Sequence, residues 1–157
     1  TYTGVHNNVT NSLIIAGLRV GMQINVVAPE MNEAARDEEL MEMARGSGQY
    51  REYDDLRTAV AHSDVVYTDT WLDMEFFNDE SFTAEKERRI KLLSPYQLNR
   101  QVLEGHDVLV MHCLPAHRGY EIESELVDDP RSVVIEQAEN RMHSQKAVFL
   151  KLAGQLT

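Results

Sequence analysis

The stretch Val108-Leu109-Val110-Met111-His112-Cys113-Leu114-Pro115 joins four consecutive apolar residues to a short polar segment that ends at a proline. A short run that is apolar throughout is typical of a parallel strand buried on both faces. Comparable runs lie at residues 24–28, 64–68 and 132–135. The pattern therefore predicts a sheet built from short, buried, parallel strands.

Helix signals fill the intervals between these strands. Asn7 and Asn8 can cap a helix that extends to Val20, and Gly21 stands where such a helix would stop. The same signals predict helices at residues 33–45, 54–60, 84–93, 95–103 and 138–152. The alternation predicts an α/β fold, a three-layer αβα Rossmann-like domain with a mostly parallel sheet. No repeat or linker divides the chain, so residues 1–157 are expected to form one domain.

The composition narrows the classes of function. The 157 residues carry 15 basic and 26 acidic side chains, a formal net charge of −11, which disfavours nucleic acids and anionic membrane surfaces as partners. A single cysteine excludes an internal disulfide and fits a reducing, cytoplasmic location. The sequence has neither an initiating Met nor a secretory leader, so we expect a piece of a longer protein.

Polar residues follow three of the predicted strands. They occupy residues 69–74 (Asp-Thr-Trp-Leu-Asp-Met), 112–115 (His-Cys-Leu-Pro) and 136–141 (Glu-Gln-Ala-Glu-Asn-Arg). Ligands of parallel α/β sheets bind beyond the carboxyl ends of the strands, which share one edge. Three unlike polar loops at that edge predict a binding or catalytic site.

Two interpretations of Cys113 stand side by side. A lone thiol after a buried strand is often a small core residue. A functional thiol would instead lie in a partly exposed, electropositive pocket, which His112 and Arg118 could supply. Because His112 and Cys113 are neighbours on a strand and point to opposite faces, a Cys–His nucleophile pair is not expected.

Asp69 and Arg141 each carry two interpretations as well. Asp69 could cap a turn or hold an ammonium group, and Arg141 could form a surface ion pair or clamp an anion or carbonyl oxygen. The six histidines lack the spacing of a helical metal site, and Gly4 lacks the further glycines of a dinucleotide fingerprint. We therefore expect no metal and no nucleotide cofactor.

Taken together, these segments resemble the ornithine carbamoyltransferase family. The run of residues 112–115 matches that family's signature after a central strand, Asp69-Thr70-Trp71 matches its Asp-x-Trp loop, and residues 138–141 match the start of its last helix. Asn7-Asn8 matches the opening of its first helix, whereas the relatives that use aspartate carry Pro at the position of Cys113. The resemblance covers the family's second, amino-acid-binding domain. The Ser-Thr-Arg-Thr and His-Pro motifs of the first, carbamoyl phosphate-binding domain are absent from this sequence.

The resemblance implies roles for seven residues. Cys113 and Arg141 would be catalytic, the first beside the reacting amine and the second on the carbamoyl oxygen. Together with the backbone of Leu114, they would also hold carbamoyl phosphate. Ornithine would be bound by Asn8, Asp69, Asp73 and Met74.

The implied reaction transfers the carbamoyl group of carbamoyl phosphate to the side-chain amine of ornithine, without a cofactor, in an enzyme that is usually a homotrimer. One segment departs from the family, because Asp73 and Glu75 stand where the family usually has Ser and Gly. This leaves open another amine acceptor, such as putrescine or lysine. A catalytically silent amino-acid-binding module is a further alternative, because the phosphate loop is missing from the sequence.

Overall fold

The sheet is parallel throughout. The computed structural model describes residues 1–72 and 80–155. Within them the strands are β1 (Tyr2–His6), β2 (Ile24–Met31), β3 (Tyr50–Glu52), β4 (Val65–Thr68) and β5 (Leu109–His112). They form one sheet in the order β3-β2-β1-β4-β5, with every pairing parallel.

Helices cover both faces of this sheet. They are α1 (Asn8–Arg19), α2 (Glu38–Gly46), α3 (Leu56–Val60), α4 (Thr83–Leu93) and α5 (Val134–Leu152). One core contains Ile14 of α1 and Leu40 of α2 against Val26, and the other contains Leu56 of α3 against Val66. The predicted three-layer α/β fold is confirmed.

The chain direction across the sheet reverses between β1 and β4. β2 and β3 lie on one side of β1, whereas β4 and β5 lie on the other. The loops after β1 and β4 therefore face each other, and such a switch point is where open α/β sheets bind ligands. Asn7 caps α1 there, because its side chain accepts from the N–H groups of Val9 and Thr10 at 2.9 and 3.2 Å.

Two predicted elements are wrong. Residues 132–135 are not a strand: Ser132 makes a single bridge to Val110, and α5 begins at Val134. An apolar run of this length does not distinguish a strand from the buried first turn of a helix. Residues 95–103 are not a helix, because Leu98 forms a parallel bridge with Ile122. The N–H of Leu98 donates to the carbonyl of Glu121, and its carbonyl accepts from the N–H of Glu123.

Two other elements differ in extent. The helix predicted at 33–45 is a short 3₁₀ turn at Glu33–Ala35 followed by α2, whose N-terminus is capped by Asp37. β2 continues through Pro29 to Met31, and β3, with only three residues, is a strand that the apolar pattern missed. None of the helices in residues 1–72 and 80–155 combines the length and apolar character that a membrane span needs.

Candidate functional site

The Asp69 carboxylate is the point where the loops after β1, β4 and β5 meet. Its Oδ2 accepts from the Nδ2 amide of Asn7 at 2.8 Å, and its Oδ1 accepts from the Cys113 thiol at 2.7 Å. The N–H of Thr70 also donates to Oδ1, at 2.7 Å. The two site loops of the parallel strands β4 and β5 are therefore joined by a carboxylate–thiol hydrogen bond, as the predicted convergence requires.

A buried aromatic ring fixes the loop that carries Asp69. Trp71 packs with Val5 and Leu93 in a small core at the sheet edge. Gly4 lies beside it in β1 with φ of 132°, a backbone conformation that favours glycine. The hydroxyl of Thr68 donates to the carbonyl of Thr3 at 2.9 Å and ties the end of β4 to β1. Asp69 is thus presented from a rigid base.

Cys113 is a protonated thiol at neutral pH. Burial, followed by the hydrogen bond to the Asp69 carboxylate, raises the pKa of Cys113 to about 12. Of the two interpretations of Cys113, the one with an electropositive pocket is not supported by Arg118, whose guanidinium is engaged with Asp128. Since the thiolate is the nucleophilic form, this arrangement suits a hydrogen-bonding thiol rather than a covalent catalyst.

Leu114 has a backbone conformation that presents its carbonyl group. Its φ is 56°, and its N–H donates to Nδ1 of His112 at 2.8 Å. That bond requires an unprotonated Nδ1, so the proton of the neutral ring is on Nε2. The Leu114 carbonyl accepts no hydrogen bond from any other residue that the structure describes, which leaves it available to a ligand.

A chain of hydrogen bonds continues behind this loop. Nε2 of His112 donates to Oε1 of the fully buried Glu121 at 3.1 Å, and the backbone N–H of His117 donates to the same oxygen. Nδ1 of His117 lies 2.8 Å from the hydroxyl of Thr70. The backbone N–H of Thr70 donates to Asp69, which in turn accepts from Cys113, so the hydrogen bonds close into a ring. We call it the Glu121 ring; its members are Asp69, Thr70, His112, Cys113, His117 and Glu121.

The third polar segment is part of a helix rather than a loop. The sequence predicts that Arg141 begins this helix, and that prediction is wrong. α5 begins at Val134, so Arg141 lies in its second turn. Its side chain is exposed and forms no ion pair within the described residues. Gln137 connects this helix to the sheet, because it accepts from the N–H of His112 at 3.1 Å and donates to the Tyr67 hydroxyl at 3.0 Å.

The remaining predicted residues differ in what can be said of them. Asn8 is exposed at the first position of α1, and its side chain makes no hydrogen bond to another described residue. Asp73 and Met74 lie outside the described residues. In the part of the chain that the structure describes, no three His, Cys, Asp or Glu side chains are grouped so as to hold a metal ion.

Sequence reasoning missed five residues of this site. They are Thr70, His117, Glu121, Gln137 and, as the partner of Asp69, Asn7. Glu121 lies nine residues after His112, and no local pattern marks it as a buried partner. Gln137 lies in the polar run at 136–141, which the sequence predicts to be a loop. Thr70 and His117 meet only through folding, 47 positions apart, and no local pattern indicates that contact.

Comparison with known proteins gives one consistent result. A sequence model described as "Aspartate/ornithine carbamoyltransferase, Asp/Orn binding domain" matches residues 1–152. The chain is 42% identical over 156 residues to an ornithine carbamoyltransferase of Archaeoglobus fulgidus, covering 98% of this chain and 48% of that protein. An ornithine carbamoyltransferase of Methanosarcina mazei is 42% identical over 154 residues, covering 96% of this chain and 48% of the relative.

The structural comparison agrees with the sequence comparison. The ornithine carbamoyltransferase of Pyrococcus furiosus superimposes with a TM-score of 0.79 at 37% identity, covering 99% of this chain and 50% of that structure. The chain therefore spans about half the length of the relatives it matches. On the evidence of the matched residues 1–152, it belongs to the aspartate/ornithine carbamoyltransferase family.

Proposed function

We propose that this chain is the ornithine-binding half of an ornithine carbamoyltransferase, and that a carbamoyl phosphate-binding half completes the enzyme. The proposal rests on one observation above all. The Asp69 carboxylate and the Cys113 thiol form a hydrogen bond of 2.7 Å at the switch point of the sheet, next to the available carbonyl of Leu114. An anionic group for a substrate ammonium and an acceptor for a carbamoyl amide are thereby adjacent.

Substrate binding in this proposal begins at Asp69. Its two oxygens receive three hydrogen bonds, whereas a carboxylate offers about four acceptor positions. The α-ammonium of ornithine takes the remaining position or displaces one of the present donors. Asn8, exposed at the start of α1, lies one residue from Asn7 and supplies an amide for the amino-acid end of the substrate.

The chemistry requires a neutral amine and a stabilised oxyanion. A free alkyl amine has a pKa of about 10.4, so partial burial of the substrate must favour its deprotonated form. A C–N bond then forms to the carbamoyl carbon, the C–O bond to phosphate breaks, and the proton that the amine loses leaves with the phosphate. Arg141 donates to the oxygen that becomes negatively charged, the Leu114 carbonyl accepts from the carbamoyl amide, and Cys113 remains a thiol beside the amine.

The other expectations stay predictions. Putrescine and lysine remain alternative acceptors because of the acidic residues Asp73 and Glu75 in the sequence, and no contact of the described residues favours either amine over ornithine. A homotrimer is implied by the resemblance alone, and a cytoplasmic location rests on the single cysteine. Light scattering of the complete protein would test the trimer.

The proposal is tested by citrulline formation in a complete enzyme, in which this chain is joined to a carbamoyl phosphate-binding half. Ornithine, putrescine and lysine are compared as acceptors, and we expect ornithine to have the highest kcat/KM. Asp69→Asn should lower that constant about a hundredfold, because a charge-assisted contact to the ammonium is lost.

Asp54→Asn is the matched control, since Asp54 is exposed and follows β3, which two strands separate from β4 in the sheet. Carbamoylation of putrescine or lysine in preference to ornithine would refute the ornithine assignment. An Asp69→Asn enzyme as active as the Asp54→Asn enzyme would refute the role of Asp69.

A further inference from the structure

Gln137 has both ends of its side-chain amide engaged. Its carbonyl oxygen accepts from the backbone N–H of His112, at the end of β5, at 3.1 Å. Its amide nitrogen donates to the hydroxyl of Tyr67, on β4, at 3.0 Å. Tyr67 is also paired with Met111 of β5 in the sheet. A single side chain of α5 is therefore bonded to both strands that carry the site loops.

The rest of α5 has little attachment to the domain. Val134 is the buried residue of this helix, and every residue from 138 to 152 is exposed. The backbone N–H of Val133, just before the helix, donates to the carbonyl of Val110. Among the described residues, the side-chain hydrogen bonds from α5 to the sheet come from Gln137 alone. The helix is thus fixed at its first turn and extends beyond it.

Arg141 lies four residues after Gln137, and residues at this spacing share one face of a helix, about 6 Å apart along the axis. Since Arg141 makes no ion pair within the described residues, its direction depends on the orientation of the helix. A rotation of α5 about its first turn would change the direction of the guanidinium relative to the loop after β5. The contact that prevents such a rotation therefore controls where Arg141 points.

We propose that Gln137 is a positioning residue that fixes α5 on the sheet edge and thereby directs the Arg141 guanidinium at the carbamoyl group. The inference rests on the proposed function, because it takes Arg141 as the donor to the carbamoyl oxygen. Gln137 itself touches no substrate. It acts through the His112 N–H, which begins the loop that carries Leu114, and through Tyr67, which lies two residues before Asp69.

The kinetic test uses the complete enzyme and Gln137→Met. Methionine has nearly the same length and helix propensity as glutamine but no hydrogen-bonding amide. We expect kcat/KM for carbamoyl phosphate to fall at least about tenfold, because a small misplacement of a catalytic group is costly. In an Arg141→Ala background the same substitution should change the constant less than about twofold, since the residue through which Gln137 acts is gone.

Gln101→Met is the matched control and should leave kcat/KM unchanged, because Gln101 is exposed and its side chain makes no hydrogen bond to another described residue. A Gln137→Met enzyme as active as this control overturns the proposal, and so do additive losses in the Gln137→Met/Arg141→Ala pair. Should Gln137→Met fail to fold, Tyr67→Phe removes one of the two hydrogen bonds and should give a smaller loss in the same constant.

Hydrogen exchange on the 157-residue chain provides a measurement that does not depend on catalysis. Gln137→Met should speed amide exchange in the first two turns of α5 and leave β2 unchanged, whereas unchanged exchange in α5 overturns the anchoring role. An inactive wild-type complete enzyme would refute the proposed function, while faster exchange in α5 would still support the anchor. The two inferences can therefore fail separately.

Discussion

Cys113 holds its proton because of where the fold places it. Burial and the hydrogen bond to Asp69 raise its pKa from an ordinary 9.0 to about 12. Below pH 9 the thiol is protonated in both the folded and the unfolded chain, and between pH 9 and 12 only the unfolded chain ionises. The stabilisation linked to this group is therefore complete below pH 9 and is lost as the pH rises towards 12.

This ionisation predicts slow alkylation. Three pKa units lower the thiolate fraction at pH 8 about a thousandfold, so iodoacetamide should modify the folded chain at least about a hundredfold more slowly than the chain unfolded in urea. Cys113 is the single cysteine, so mass spectrometry follows the reaction without ambiguity.

Asp69→Asn provides the comparison, because it removes the anion that opposes the thiolate but keeps an acceptor for the thiol. The variant should react faster than the wild type at pH 8. Equal rates in the folded wild type, the variant and the unfolded chain would show that the fold does not control the proton on Cys113.

Glu121 joins the end of β5 to the loop that follows it. Its Oε1 accepts from the imidazole of His112 and from the backbone of His117. Glu121→Leu would leave both buried donors unpaired at about 1–3 kcal/mol each, so the free energy of unfolding should fall by roughly 2–6 kcal/mol. Glu121→Gln keeps an acceptor oxygen and should lose less. Urea denaturation of the 157-residue chain measures both.

Glu125→Leu, at an exposed position in the same segment, controls for the loss of an acidic side chain. If Glu121→Leu proved as stable as Glu125→Leu, the Glu121 ring would contribute nothing to the stability of the loops. A large loss in Glu121→Gln, equal to that of Glu121→Leu, would point to the charge rather than to the hydrogen bonds.

The sequence predicted elements wherever local signals were sufficient. Asn7 as a cap, Gly21 as a helix stop and the apolar strand before His112 depend on neighbouring residues alone, and each is confirmed. The elements that failed depend on distant partners. Leu98 is extended because Ile122 pairs with it, and Val134 enters a helix although its neighbours favour a strand. The same limit hid the contact between Thr70 and His117, whereas Asp69 and Cys113 were found as ends of adjacent strands.

The exposed side of α5 carries an apolar stripe with the spacing of a coiled-coil seam. Its apolar members are Ile135, Ala138, Met142, Phe149 and Leu152, and the polar Gln145 interrupts it. Phe149 and Leu152 are 70% and 80% exposed. Contact of such a contiguous apolar surface with water is unfavourable. We predict that the 157-residue chain associates through this stripe at high concentration, as measured by sedimentation velocity.

Phe149→Glu should abolish this association, because it places a charge in the centre of the contact. Ala147→Glu adds the same charge on the opposite side of the helix and should leave the association unchanged. A wild-type chain that stays monomeric, or equal effects of the two variants, would contradict the stripe as the contact. The resemblance implies that this helix packs towards the other half of the family's enzymes, so joining that half should also suppress the association.

At the scale of the whole molecule, charge decides which substrate this chain can hold by itself. The chain has a net charge of −11, and the site places the Asp69 carboxylate next to Cys113 and Leu114. Such a surface favours an ammonium group. It opposes a phosphate dianion, for which the roles implied by the resemblance supply a single cation, Arg141. Under the proposed function, carbamoyl phosphate is therefore expected to need positive groups in addition to Arg141.

The isolated chain should accordingly form no citrulline from carbamoyl phosphate and ornithine. One guanidinium cannot neutralise and orient a phosphate dianion, and without a bound donor the amine gains nothing from proximity, which otherwise supplies about 7–11 kcal/mol of the barrier reduction. Citrulline is measured by chromatography against a reaction without protein. Addition of a separately produced carbamoyl phosphate-binding half should restore turnover to the wild-type chain and much less of it to Arg141→Ala. Turnover by the isolated chain above the protein-free rate would mean that these 157 residues hold the phosphate themselves, and the division of substrates between two halves would then be wrong.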